Sequence, residues 1–244
     1  MPATVAAALR TVVGAPPTAA EPQPLASRRH TFRFLLIVAG IAAVSLLRRG
    51  GAAFPGGAAA TSRLPLYVSL LALELGLVWF VVIGLRKQGR AAIDLVGRRW
   101  RSPLDAGRDV LLAAGTVVML RGVSLALQWM LAPAPARTAF LLPRQPAEIL
   151  LWVVVSIAAG CCEEAVFRGY LQPQLWALGG SLPLAVAAQA LIFGVAHLYQ
   201  GWRPALVTAI YGLGFGLLAA WRRSIVPGAI AHALIDVIGG LAGR

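Results

Sequence analysis

The chain has 244 residues, of which 59% are apolar and 13% charged. A soluble domain carries about 45–50% apolar and about 25% charged residues. The apolar excess is gathered into runs long enough to cross a bilayer, at about 20 residues per helix, so composition excludes an ordinary soluble domain and predicts a polytopic membrane protein. The net charge of +13 raises nucleic-acid binding as an alternative. Its densest cluster, RKQGRAAIDLVGRRWRSPLDAGR at residues 86–108, lies between two apolar runs. Lys and Arg there set topology and meet anionic headgroups. With no recognition-helix or RNA-binding motif alongside, no nucleic-acid partner is expected.

In chain order, residues 1–30 are rich in Ala and Pro and hold no apolar stretch of the signal-peptide kind, which predicts a disordered cytosolic tail. Seven apolar segments follow, over residues 31–47, 64–85, 109–132, 149–171, 182–199, 204–220 and 225–242. Loops between them are marked by RRGGAAFPGG, the basic run, APAPARTAFLLPRQP, Gly179–Gly180, QGWRP and RRSIVPG. The expected fold is an all-α, polytopic membrane helix bundle of about seven helices, six to eight once short segments are split or merged. With the N-terminus inside, thirteen Lys and Arg fall on the cytosolic side and seven on the other. The positive-inside rule therefore favours a cytosolic N-terminus and, with seven helices, an external Arg244. There is no internal repeat. The two cysteines, Cys161 and Cys162, are adjacent and form no CxxC pattern, so they read as small packing residues.

A charge at membrane depth costs several kcal/mol unless paired or hydrated, so ionisable residues inside the apolar runs are functional candidates. They are Glu74, Arg121, Glu163, Glu164, Arg168, His197, His232 and Asp236. Glu74 and Arg121 stand alone on their segments and are expected to pair with each other or to line a cavity, the pairing being preferred. The other six fall in the last third of the chain. Glu164 and Arg168 share a helix face at i and i+4, with the acid N-terminal, the better orientation for an ion pair. Phe193 and His197 have the same spacing, as do His232 and Asp236.

Depth brings these pairs together. If the fourth segment leaves the membrane near residue 171, Glu163 lies about 12 Å beneath that surface at 1.5 Å per residue. Counting out from the Gly179–Gly180 turn sets His197 opposite residue 162, and His232 falls about 10–12 Å deep on its own segment. Two carboxylates, an arginine and two histidines on one level suit activation of water. One glutamate acts as general base and later returns the proton to a leaving amine. The other, paired with Arg168, holds it in place, and a histidine donates to the developing oxyanion. No GxSxG motif occurs, and no Ser or Cys is spaced to pair with a histidine, so a hydrolase without a covalent nucleophile is expected.

The motifs Glu163-Glu164-x-x-x-Arg168, Phe193-x-x-x-His197 and His232-x-x-x-Asp236, in this order, resemble those of the CPBP family of intramembrane glutamic endopeptidases. That family includes the CAAX prenyl proteases and bacteriocin-processing enzymes. The stretch EEAVFRGYLQPQL matches its first motif well, and the resemblance covers residues 148 to 242. It implies catalysis without metal or other cofactor, with Glu163 as the water-activating base and Glu164 and Arg168 in support. It further implies that His197 helps to activate the water and His232 stabilises the oxyanion. Relatives often carry Asn at the last motif position; Asp236 either stays protonated or orients His232.

Three parts are thus expected: a tail at 1–30, N-terminal membrane helices at 31–147 and a CPBP-like catalytic core at 148–244. The expected partners are the bilayer and a membrane-associated protein or peptide substrate. High Ala, Arg and Gly content suggests a bacterial inner-membrane processing or C-terminal sorting protease. Three other readings remain. Zinc could be held by His197, His232, Glu163 and Asp236, though HExxH is absent. A proton-coupled transporter also uses buried Glu, His and Arg, usually with an inverted repeat. A non-catalytic immunity or scaffold protein could keep the family fold.

Overall fold

The computed structural model describes residues 23–47, 62–130 and 139–242. Among these are seven helices: α1 (Arg28–Leu47), α2 (Leu64–Arg86), α3 (Pro103–Met130), α4 (Pro146–Gly179), α5 (Leu182–Ala196), α6 (Trp202–Arg222) and α7 (Val226–Ala242). Helices α2, α3, α4 and α6 are long and apolar enough to cross a membrane; α5 and α7 are apolar but shorter, at 15 and 17 residues. The architecture is all-α, and the chain is a multi-pass membrane protein. Large apolar side chains face outward, Leu111, Val118 and Trp129 among them, where lipid accepts them, while polar groups turn inward.

The helices match the apolar segments one for one, with shifted ends. The tail expected at 1–30 ends earlier: Leu25 and Ala26 are buried and α1 begins at Arg28. Gln174 holds this entry segment. Its side-chain oxygen accepts from the Leu25 and Ala26 amides at 2.7 and 3.1 Å, and its amide donates to the Ala26 carbonyl at 2.7 Å. The remainder of the tail, the RRGGAAFPGG loop, part of the proline-rich loop and Arg244 lie outside the described residues. Among the missed elements is His30, whose ring bridges the Phe80 carbonyl and the Tyr170 hydroxyl, each at 3.0 Å. It ties α1 to α2 and α4.

Helix α4 runs 34 residues, about 51 Å at 1.5 Å per residue, against a hydrocarbon core of about 30 Å. It continues past residue 171 to the Gly180 turn, which takes a left-handed φ of 70°. From Glu164 to Leu171 it widens into a π-helix. Pro173 accounts for this: it has no N–H to donate, and its ring crowds the carbonyl four residues earlier. The start of α4 is pinned by Glu148. Its carboxylate accepts from the amides of Arg63 (2.6 Å), Arg144 (2.7 Å) and Gln145 (3.3 Å), capping α4 and joining it to the start of α2.

Small residues set the crossings. A Cβ on Gly160 would stand 2.7 Å from the Ala229 carbonyl, and one on Gly194 would stand 2.7 Å from Ala209. So α4 lies against α7 and α5 against α6 at backbone range. At the end of the bundle that carries the basic linker, Gly97 pairs with Ser224, through Arg98 N–H to the Arg223 carbonyl at 2.6 Å. Beneath it Asp109 of α3 binds Arg222 of α6 through Nε and Nη2 at 2.9 and 2.5 Å and accepts from Trp100 at 2.9 Å. Asp109 and Arg222 are both buried. Removing one partner of a buried pair costs about 3–5 kcal/mol, whereas an apolar replacement of both is often neutral. Asp109→Ala should therefore lower the thermal unfolding midpoint in detergent strongly, and Asp109→Leu combined with Arg222→Met should recover most of the loss.

Candidate active site

Glu163 ends the regular part of α4 and Glu164 opens the π-helical part. The wide turn carries Glu164 and Arg168 into the bundle, where neither side chain has any exposed surface. Nη1 of Arg168 donates to Glu164 Oε1 at 2.7 Å. The guanidinium carbon lies 4.3 Å from the Phe193 ring centroid and 5.3 Å from that of Phe215, so aromatic faces supply the rest of its environment. Two glycines make the room: a Cβ at Gly228 would come within 3.0 Å of Glu164 Oε2, and one at Gly212 within 3.2 Å of Arg168 Nη2.

His232 of α7 reaches the same carboxylate, its Nδ1 lying 3.2 Å from Glu164 Oε1. A carboxylate only accepts, so the ring proton sits on Nδ1 and the orientation is fixed. Phe215 stacks on the ring at 5.3 Å. Nε2 of His232 then points toward Glu163 Oε2 at 3.8 Å and Asp236 Oδ2 at 3.6 Å. The orienting hydrogen bond of His232 thus comes from Glu164, not from Asp236 as the i,i+4 spacing suggests. His197, at the end of α5, is held in the same way. Its Nδ1 donates to the Phe193 carbonyl at 2.8 Å, which leaves Nε2 facing Glu163 Oε2 at 3.9 Å.

The six residues singled out in the sequence therefore converge. Glu163, His197, His232 and Asp236 line a cavity of about 250 Å³, with Glu164 and Arg168 packed behind it. His232 lies six positions along α7 from Val226, about 9 Å of helix. The N-terminal helices complete the wall: Val38 and Ile41 come from α1, and Leu70, Glu74 and Leu77 from α2. Glu74 lines the cavity and makes no ion pair with Arg121 among the described residues. Tyr199, in the turn after α5, stacks on His197 at 6.0 Å, and burial pushes its hydroxyl pKa up, so the phenol stays neutral. Among the described residues, no group of three or more His, Cys, Asp or Glu is arranged to hold a metal ion.

Residues 145–238 match the model of the Rce1-like family, described as type II CAAX prenyl endopeptidase Rce1-like. This region belongs to the CAAX-protease family. The CAAX-protease region holds Glu163, Glu164, Arg168, His197, His232 and Asp236, whereas α1 to α3, and with them Glu74, lie outside the match. No curated protein matches the chain, and no solved structure does.

The contact between Glu164 and His232 depends on the backbone approach of α4 to α7 at Gly160. Gly160→Val should force these helices apart at a cost of about 1–3 kcal/mol or more, read as a lower unfolding midpoint. Gly239→Val is the control, because an added Cβ there meets nothing within 4 Å.

Proposed function

We propose that the cavity hydrolyses a peptide bond of a membrane-associated protein or peptide with water activated by Glu163. The observation that carries this reading is the convergence of Glu163 Oε2 with the two Nε2 atoms, at 3.9 Å from His197 and 3.8 Å from His232. With its proton on Nδ1, His197 offers a lone pair at Nε2, and Glu163 also accepts. A water between them gives one O–H to each and turns its oxygen toward a substrate carbonyl. Glu163 takes the proton as the new C–O bond forms, then returns it to the amine as the C–N bond breaks. Oxyanion charge develops beside Nε2 of His232, the group best placed to donate to it when that nitrogen is protonated. Glu164 and Arg168 hold His232 and stay charged throughout. Asp236, at 34% the most exposed acid of the set, faces the open part of the cavity and is assigned to orienting the substrate.

Enclosure supports an intramembrane substrate. Apolar walls from α1 and α2 suit a segment delivered from lipid, and Trp152, donating to the Asp236 carbonyl at 3.1 Å, closes one side. The basic linker shares its end of the bundle with the start of α1 and with Arg222 and Arg223. We assign that end to the cytosol by the positive-inside rule, in a bacterial inner membrane. There the enzyme acts as a processing or C-terminal sorting protease.

The test is cleavage of co-expressed candidate membrane substrates. Glu163→Ala and His197→Ala should each lower the rate by about 10²–10⁴-fold, the usual worth of a positioned general base. His232→Ala should lower it by about 10²–10³-fold, the worth of an oxyanion donor. A strong chelator should leave wild-type cleavage unchanged. Wild-type rates in the Glu163 and His197 variants would overturn the assignment, and chelator-sensitive cleavage restored by zinc would replace it with the metal reading.

A further inference from the structure

Among the described residues, Glu74 is the one acidic side chain that the N-terminal helices bring to the cavity, and the hydrolytic scheme above leaves it unused. It lies outside the region matched by the family model. Its residue is 91% buried, at 9% relative exposure, and α2 packs its carboxyl against that of Glu163 at hydrogen-bonding range. Oε2 of Glu74 and Oε2 of Glu163 are buried and accept from no donor among the described residues. Two carboxylates in contact on a largely buried wall strongly disfavour both being ionised, since each would face a like charge. A single proton between them satisfies both.

We propose that Glu74 and Glu163 form a carboxyl dyad that shares one proton, with Glu74 as a positioning residue for the base. The proton rests on Glu74 for a geometric reason. Glu163 faces two imidazoles, His197 and His232, whereas the acidic groups nearest Glu74 are Glu163 from α4 and Asp236 from α7. Cys162 on α4 and the neutral phenol of Tyr199 complete the ionisable surroundings. In this arrangement the Glu74 O–H donates to Glu163, fixes its rotamer and keeps it an anion that can accept the water's proton. No proton is gained or lost overall: Glu163 receives one from water and passes it to the leaving amine, and Glu74 keeps its own.

This inference rests on the hydrolytic reading only for its kinetic consequence, so two readouts are needed. The first is infrared absorption of the purified full chain in lipid at neutral pH. A protonated-carboxyl C=O band should be present, should vanish in Glu74→Gln and should shift or vanish in Glu163→Gln. Asp236→Asn should leave it in place. The second is kinetic. Glu74→Gln keeps the shape and an N–H donor and should retain KM while lowering kcat by about tenfold. Its pH–rate profile should lack the alkaline fall that comes from loss of the shared proton. Glu74→Asp should recover part of the rate, while Glu74→Leu should lose both rate and band. A band that survives in both Gln variants overturns the dyad and leaves the protease reading intact. A band that behaves as expected, in a protein whose Glu163→Gln variant still cleaves, keeps the dyad and removes the hydrolytic role of Glu163. Unchanged kcat and pH profile in Glu74→Gln would overturn the positioning role.

Discussion

An arginine and a glutamate with no exposed surface, joined at 2.7 Å within one turn of a membrane-spanning helix, constrain everything packed around them. Each ion alone would cost several kcal/mol to bury, and the pair offsets that only if its remaining hydrogen-bonding capacity is used. Part of that capacity is used, while Glu164 Oε2 and Arg168 Nε and Nη2 find no hydrogen-bond partner among the described residues. His232 donates to the carboxylate, three phenylalanine rings face the guanidinium, and glycines at 212 and 228 admit the neighbouring helices. α4, α5, α6 and α7 are therefore held around one charged centre rather than around a purely apolar core.

That centre also explains the local backbone. A regular α-helix carrying Pro173 would have to kink or lose a hydrogen bond, and the π stretch from Glu164 to Leu171 absorbs the mismatch where two charges need to face inward. π-bulges often mark functional sites because they trade helix stability for a side-chain direction. Here the traded direction is that of Glu164 and Arg168. Glu163, one residue earlier on the regular helix, is left at the cavity wall.

The two imidazoles are held by their second nitrogens, one on a carboxylate and one on a backbone carbonyl. Both Nε2 atoms consequently look into the same space. Such preorganisation is what an electrostatic catalyst requires, because the donors and acceptors are paid for by folding and need no rearrangement during reaction. The N-terminal helices do more than cover this space. Glu74 brings a further carboxyl to the cavity beside Glu163, so its wall is completed by a part of the chain that lies outside the family match.

The sequence by itself determined the number and order of the helices, since a bilayer demands long apolar runs and the connections punctuate them with Gly, Pro and Arg. It also singled out Glu163, Glu164, Arg168, His197, His232 and Asp236, because ionisable residues are rare and costly inside such runs, and the i,i+4 spacing along one helix can be read directly. Residues at segment edges escaped notice: Asp109, Glu148 and His30 sit where charge or polarity is ordinary, and only packing reveals that they are buried or part-buried and bonded. Tertiary structure alone decided which helix faces meet. Glu74 meets Glu163 rather than Arg121, and His232 takes its orientation from Glu164 rather than Asp236. Those outcomes depend on helix rotation and close crossings at Gly160, Gly194 and Gly228, and periodicity along a single helix carries no information about them.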